Sequence, residues 1–173
     1  MGIGTMAKAM TALRRGFWTM AAVLVVISGT AAAAPRGNDG PSDADRQVLQ
    51  TYKLSMDKLR HFAAGDKALY ADAARDPALK AEIAKMADEE PQKSLGDLQA
   101  KLQRHPRVAA YYTKEGITAQ EAVVIPLATM EAMGAVETKG AGDASPDQIE
   151  FVKQHKAEIQ TLLDQWFKED GED

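Results

Sequence analysis

The segment 122–136 is the strongest constraint on how this chain can fold. Only Thr129 and Glu131 within it are neither apolar nor small. The preceding Thr118–Glu121 stretch is a Thr-x-x-Glu capping box, which places a helix start at residue 119. A helix that is apolar all round needs cover on every side, and 15 residues cross a bilayer poorly. We therefore predict a buried central helix over about 119–135.

The chain after residue 41 has the period of helices throughout. Behind each of several residues that favour helix N-caps, apolar side chains recur every three or four positions. These N-cap residues are Ser42, Asp76, Ser94 and Ser145. No segment alternates apolar and polar residues as a strand would. The sequence predicts an all-α fold, an irregular bundle of five or six helices around 119–135, formed by a single domain over 42–170.

The end of the first helix is left open by the sequence. Ser42 and Asp45 form its capping pair, and apolar residues continue in one helical register to Ala63. Gly65 and Asp66 then either end the helix or lie within it. Both alternatives fit the pattern.

The N-terminus has the charge order of a secretory signal peptide. The positive charges come first, from Lys8, Arg14 and Arg15. A nearly apolar run follows at 17–27, and then a run of small residues. Because proline directly after the scissile bond is disfavoured, we expect cleavage after Ala33. This gives a signal peptide at 1–33 and a flexible linker at 34–41.

Two alternatives concern this segment. Residues 16–34 carry no charge and are nearly long enough to span a bilayer, so an uncleaved membrane anchor is one alternative. The pair Arg14 and Arg15 resembles the twin-arginine export pattern but lacks the usual Ser or Thr before it. We favour cleavage and the general secretion route, which place the protein in the periplasm or outside the cell.

Charge and cysteine content exclude several classes of function. The signal carries three of the 21 basic residues and none of the 25 acidic ones, so the mature part has 18 against 25, a net charge of −7. Nucleic acid and anionic membranes are therefore poor partners, and no stable membrane insertion is expected after cleavage. The absence of cysteine excludes disulfides, thiolate metal sites and covalently attached haem.

No motif indicates an enzyme or a metal site. The chain has no Gly-x-Ser-x-Gly and no Glu-x-x-His sequence, and its serines mostly stand at helix starts. Of the three histidines, His61 falls on the polar side of its helix and His105 at a helix end before a proline. We therefore assign no catalytic residue, no metal ligand and no cofactor.

Three residues remain as candidates for a site. Met56 and His155 both face roughly inward, and a methionine and histidine pair can ligate haem without cysteine. Haem or another small ligand bound by Met56 and His155 is therefore the alternative function. Glu131 is a carboxylate in an apolar helix, where it must be paired, reach the surface or serve as a functional group with a raised pKa.

Part of the chain resembles a group of small exported bacterial helical proteins of uncharacterised function. The resemblance covers about 94–160 and rests on the segment 116–121, the apolar helix after it, and Ser145–Pro146. It extends through the apolar residues of the last helix, Ile149, Phe151 and Val152, to Lys156. It implies a helical fold and an exported location, and no catalytic residue. Our main hypothesis is a non-enzymatic protein that acts through contacts with an envelope protein.

The signal-peptide interpretation makes a prediction about processing. The exported protein should begin at Ala34, because small residues at 31 and 33 satisfy the cleavage site and Pro35 then stands one residue inside the mature chain. Intact-mass measurement of the protein from the periplasm or medium checks this. A full-length chain retained in the membrane fraction would contradict it.

Overall fold

The computed structural model describes residues 41–138 and 142–168 of the chain. The predicted signal peptide 1–33 lies outside the described residues, and so does the linker 34–41 apart from Pro41. The described part is all-helical, as predicted, with seven helices rather than five or six and no strand. The helices are α1 (Asp43–Thr51), α2 (Met56–Ala73), α3 (Pro77–Asp88), α4 (Leu95–Arg104), α5 (Pro106–Lys114), α6 (Ala119–Glu137) and α7 (Pro146–Lys168).

The central helix is α6, as the apolar segment predicts. It starts at the expected capping box, in which Thr118 and Glu121 each accept the other's backbone N–H. It packs against α1, α2, α4, α5 and α7. Val124 and Ile125 are almost completely buried, and the Thr129 hydroxyl donates a 2.7 Å hydrogen bond to the Ile125 carbonyl. The one side-chain hydroxyl of α6 is therefore satisfied within its own helix.

One side of α6 is less buried than the sequence predicts. A stripe of its apolar residues stays partly exposed. These residues are Pro126, Leu127, Met130, Met133 and Gly134. Their spacing of three, four and seven positions places them on one face. The expectation that the helix is covered on all sides is wrong here, because its five neighbouring helices pack against the remaining faces.

The predicted first helix is divided into α1 and α2. Tyr52 has extended backbone and ends α1, while the Ser55 side chain accepts the Lys58 amide and starts α2. The break between α1 and α2 is stabilised by a side chain close to the start of α7. The buried Gln148 amide donates to the Leu49 carbonyl at 2.7 Å and to the Tyr52 carbonyl at 2.9 Å. These bonds satisfy carbonyls that a helix end leaves without partners.

The open question about Gly65 is settled by the structure. Helix α2 continues past Gly65 and Asp66 to Ala73. A Cβ atom at Gly65 would lie 3.1 Å from the Tyr111 carbonyl oxygen. Glycine is therefore present for the close approach of α2 and α5, and not as a helix stop.

The core joins side chains from most helices. Leu59, Leu79, Ile125, Val152 and Ile159, from α2, α3, α6 and α7, are each at most 1% exposed. Among the described residues, none of the helices combines the length and the apolar character that crossing a membrane requires. Helices α2, α3, α6 and α7 therefore share one large cluster of buried apolar residues.

Candidate functional site

Met56 and His155 lie on two helices that contact each other, α2 and α7. Met56 is buried in the core cluster. The His155 ring is partly buried and packs against Phe151 of the same helix, with the ring centroids 4.8 Å apart and the ring planes inclined at 43°. Both side chains therefore have packing partners of an ordinary kind. In the part of the chain that the structure describes, no three His, Asp or Glu side chains are placed to hold a metal ion.

Glu131 lies where α6 faces the start of α7. It accepts a hydrogen bond from the backbone N–H of Asp143. Burial, and then the negative charge of Asp143, raise the pKa of the Glu131 carboxyl above its ordinary value of 4.5. Glu131 is partly exposed, in line with the predicted approach to the surface, and its hydrogen-bond partner is a loop amide rather than a side chain. The arrangement ties the 142–145 loop to α6.

His61 and His105 are placed very differently. His61 is exposed, as predicted, with its ring 3.4 Å from Glu115. His105, which the sequence places only at a helix end, is 5% exposed. It ends α4 and precedes α5. Its Nε2 lies 2.8 Å from a Glu89 carboxylate oxygen, and its Nδ1 lies 3.7 Å from a Glu82 oxygen.

The contacts around His105 continue on both sides as ion pairs. Arg104 lies 2.8 Å from Glu89. Arg107 lies 2.6 Å from Asp76 and 3.8 Å from Glu82. Three acidic residues of the α3 segment thus meet three basic side chains of the α4–α5 junction. We call these six residues the α3 clamp: Asp76, Glu82 and Glu89 opposite Arg104, His105 and Arg107.

Basic side chains of α4 and its C-terminal end change the pKa values of the groups around the α3 clamp. Hydrogen bonds from Arg104 and then His105 hold the pKa of Glu89 at about 2, below its ordinary value of 4.5. Lys101, one turn before His105, is 5% exposed, and burial lowers its pKa. The basic sequence Lys101, Arg104, His105 and Arg107 was the available signal for this cluster. The acidic partners of these residues lie 12 or more positions earlier in the chain, so local sequence patterns do not show which acidic and basic residues are in contact.

A second buried polar contact joins α2 and α5. The Tyr112 hydroxyl donates a 2.9 Å hydrogen bond to Asp66, and its ring stacks on Phe62 at 5.3 Å. Burial, and then the Asp66 charge, raise the pKa of Tyr112 well above its ordinary range. The hydroxyl is therefore a hydrogen-bond donor at neutral pH. This contact fixes the α2–α5 crossing beside Gly65.

The partly exposed side of α6 is the remaining candidate surface. We call it the α6 outer face, formed by Pro126, Leu127, Met130, Met133 and Gly134. It contains no charged or hydrogen-bonding side chain. A Cβ atom added at Gly134 would meet no heavy atom within 4 Å, so the face is open at that point. The exposed Glu137 follows at its C-terminal end.

Comparisons of the chain with protein-family models, with curated proteins and with solved structures found no match.

Glu131 supplies a prediction about stability and pH. A folded-state pKa above 4.5 means that the carboxylate disfavours folding once the pH rises above that value. Glu131→Gln keeps an oxygen that can accept the Asp143 N–H. It should therefore raise the free energy of unfolding at pH 7, and the gain should vanish as the pH falls below 4.5.

Urea unfolding of both proteins at pH 7 and at about pH 4 measures this. Glu137→Gln, at an exposed glutamate of the same helix, is the matched control and should change little. Destabilisation by Glu131→Gln at pH 7 would show that the charged form is favoured in the fold.

Proposed function

We propose that this is an exported, non-enzymatic helical protein that binds an envelope protein through the α6 outer face. Export is supported by the charge order of residues 1–33 and by the resemblance of 94–160 to small exported bacterial helical proteins. A non-enzymatic role is supported by the sequence, which contains no Gly-x-Ser-x-Gly nucleophile motif. Contact with a protein is supported by the α6 outer face.

The observation that carries the proposal is an uncharged, partly exposed stripe on the helix at the centre of the domain. Contiguous exposed apolar surface on a small protein is a common mark of an interaction site. Met130 and Met133 are flexible and polarisable, so they can adapt to the shape of an apolar partner. Gly134, with open space above it, allows another backbone to come close.

The charges around this face select among partners. With a net charge of −7 in the mature part, a second copy of the chain is repelled around the contact, and so is an anionic membrane. Glu137 adds an exposed negative charge at one end of the face. The partner that fits is a protein with an apolar surface bordered by Lys or Arg. Rim charges of opposite sign would increase its association rate.

Photo-crosslinking in the native cell tests the proposed contact. A benzophenone amino acid at Met130 or Met133 should form an adduct with one other protein. The same group at Lys153 or Gln160, which are exposed on α7, should not. Adducts of equal yield at all four positions, or none at Met130 and Met133, would contradict the proposal. An adduct between two copies of the chain would replace the proposed partner with self-association.

A matched pair of glycine substitutions separates binding from folding. Gly134→Gln places a side chain over the open face, whereas Gly96→Gln makes the same change at an exposed position in α4. Gly134→Gln should increase stability by roughly 0.5–1 kcal/mol, because glycine is unfavourable in a helix interior, and Gly96→Gln should increase it by less, because Gly96 lies in the first turn of α4. Only Gly134→Gln should reduce the yield of the Met130 adduct. Equal yields in the two variants would show that no partner covers the face.

A further inference from the structure

Helix α3 is attached to the bundle by a small apolar contact and by the α3 clamp. Its buried apolar side chains are Leu79 and Met86, with Ile83 partly buried beside them. It packs mainly against α2 and α5, and it is not among the helices that cover α6. A peripheral helix with few buried apolar residues opens more easily than the core. The polar contacts of the clamp therefore weigh heavily in holding it.

His105 is the central contact of the clamp and its one imidazole side chain. Both ring nitrogens face carboxylates, Glu89 at 2.8 Å and Glu82 at 3.7 Å. A neutral imidazole has one N–H and so points a lone pair at one of these carboxylates. Only the protonated ring donates toward both. Loss of the proton leaves three acids opposite two bases.

The other charged groups around the ring define what else could respond. Arg104 and Arg107 stay charged at all relevant pH values. Lys101 lies one turn away on the same helix, beside Glu89. On the far side of Arg107, the Tyr111 hydroxyl donates to Asp72 at 2.8 Å. Of these side chains, imidazole is the one that normally changes charge between about pH 5 and 8.

We propose that His105 is a pH-responsive clamp: its protonated ring holds α3 against the α4–α5 junction, and loss of the proton lets α3 detach. Detachment exposes Leu79 and Met86 and so adds a second apolar surface to the molecule. The proposal is independent of the α6 outer face, since it concerns another helix and other residues. In an exported protein, the external pH would set the fraction with α3 open.

The acid side of the response follows from Glu89. Its pKa of about 2 lies below its ordinary value of 4.5, so its share of the clamp is complete above pH 4.5 and is lost as the pH falls toward 2. The clamp is therefore closed at mildly acidic pH and weakens on both sides of that range. Opening at rising pH is the part that depends on His105.

Thiol labelling measures the opening of α3 directly, since the natural chain has no cysteine. The Met86→Cys variant reports on α3, and the Val124→Cys variant reports on α6, where Val124 is 1% exposed. For each, the rate of maleimide labelling is divided by the rate for the same variant unfolded in urea at the same pH. The ratio cancels the ionisation of the thiol.

Between about pH 5.5 and pH 8, the ratio for Met86→Cys should rise about tenfold, equivalent to about 1.4 kcal/mol, while that for Val124→Cys stays low. Adding His105→Gln, which cannot be protonated, should remove the pH dependence. Adding Glu82→Gln should reduce the pH dependence. The neutral ring then faces a single carboxylate, Glu89, and can donate its one N–H to it. This second background keeps the test decisive if His105→Gln does not fold.

Three outcomes would overturn the proposal. A flat ratio for Met86→Cys would show that α3 does not open. An equal rise for Val124→Cys would show unfolding of the whole domain. A response that persists with His105→Gln would assign the titration to another group, such as Lys101, whose pKa is lowered by burial.

Discussion

The burial of α6 is the constraint on which the remaining structure depends. A helix with so few polar side chains is stable in water only if other helices remove most of its surface from solvent. The short helices α1, α4 and α5 and the long helices α2 and α7 do this together. Their own apolar faces are covered in the same contacts. The irregular arrangement follows, since helices of unequal length must surround one helix without the symmetry of a four-helix bundle.

Polar contacts over long sequence separations fix where the surrounding helices begin and end. Asp45 belongs to the capping box of α1 and also accepts the Leu95 amide at the start of α4 at 3.3 Å. Gln148 caps α7 through Ser145 and at the same time satisfies the end of α1. Each of these side chains therefore supplies hydrogen-bond partners to backbone groups at two different helix ends. The order of the helices around α6 is therefore specified by polar atoms as well as by apolar area.

Much of this fold could be predicted from local sequence, and the exceptions share one cause. The caps at Ser42, Ser94, Thr118 and Ser145 and the start of the central helix follow from rules that act within four or five residues. The division of α1 from α2 and the burial of His105 do not, because Gln148 and Glu89 act on them from elsewhere in the chain. The partial exposure of Met130 depends on where five other helices pack. Hydrophobic period alone cannot supply that arrangement.

Residue-level hydrogen exchange of the native protein tests the central role of α6 most directly. The account predicts that amides between Val124 and Ala135 exchange only through global unfolding, with the highest protection in the domain. Amides of α3 should exchange through a smaller, separate opening. The opposite order, with α6 exchanging faster than α2 and α7, would contradict the account. It would mean that the domain is organised around those long helices and that α6 is an added element.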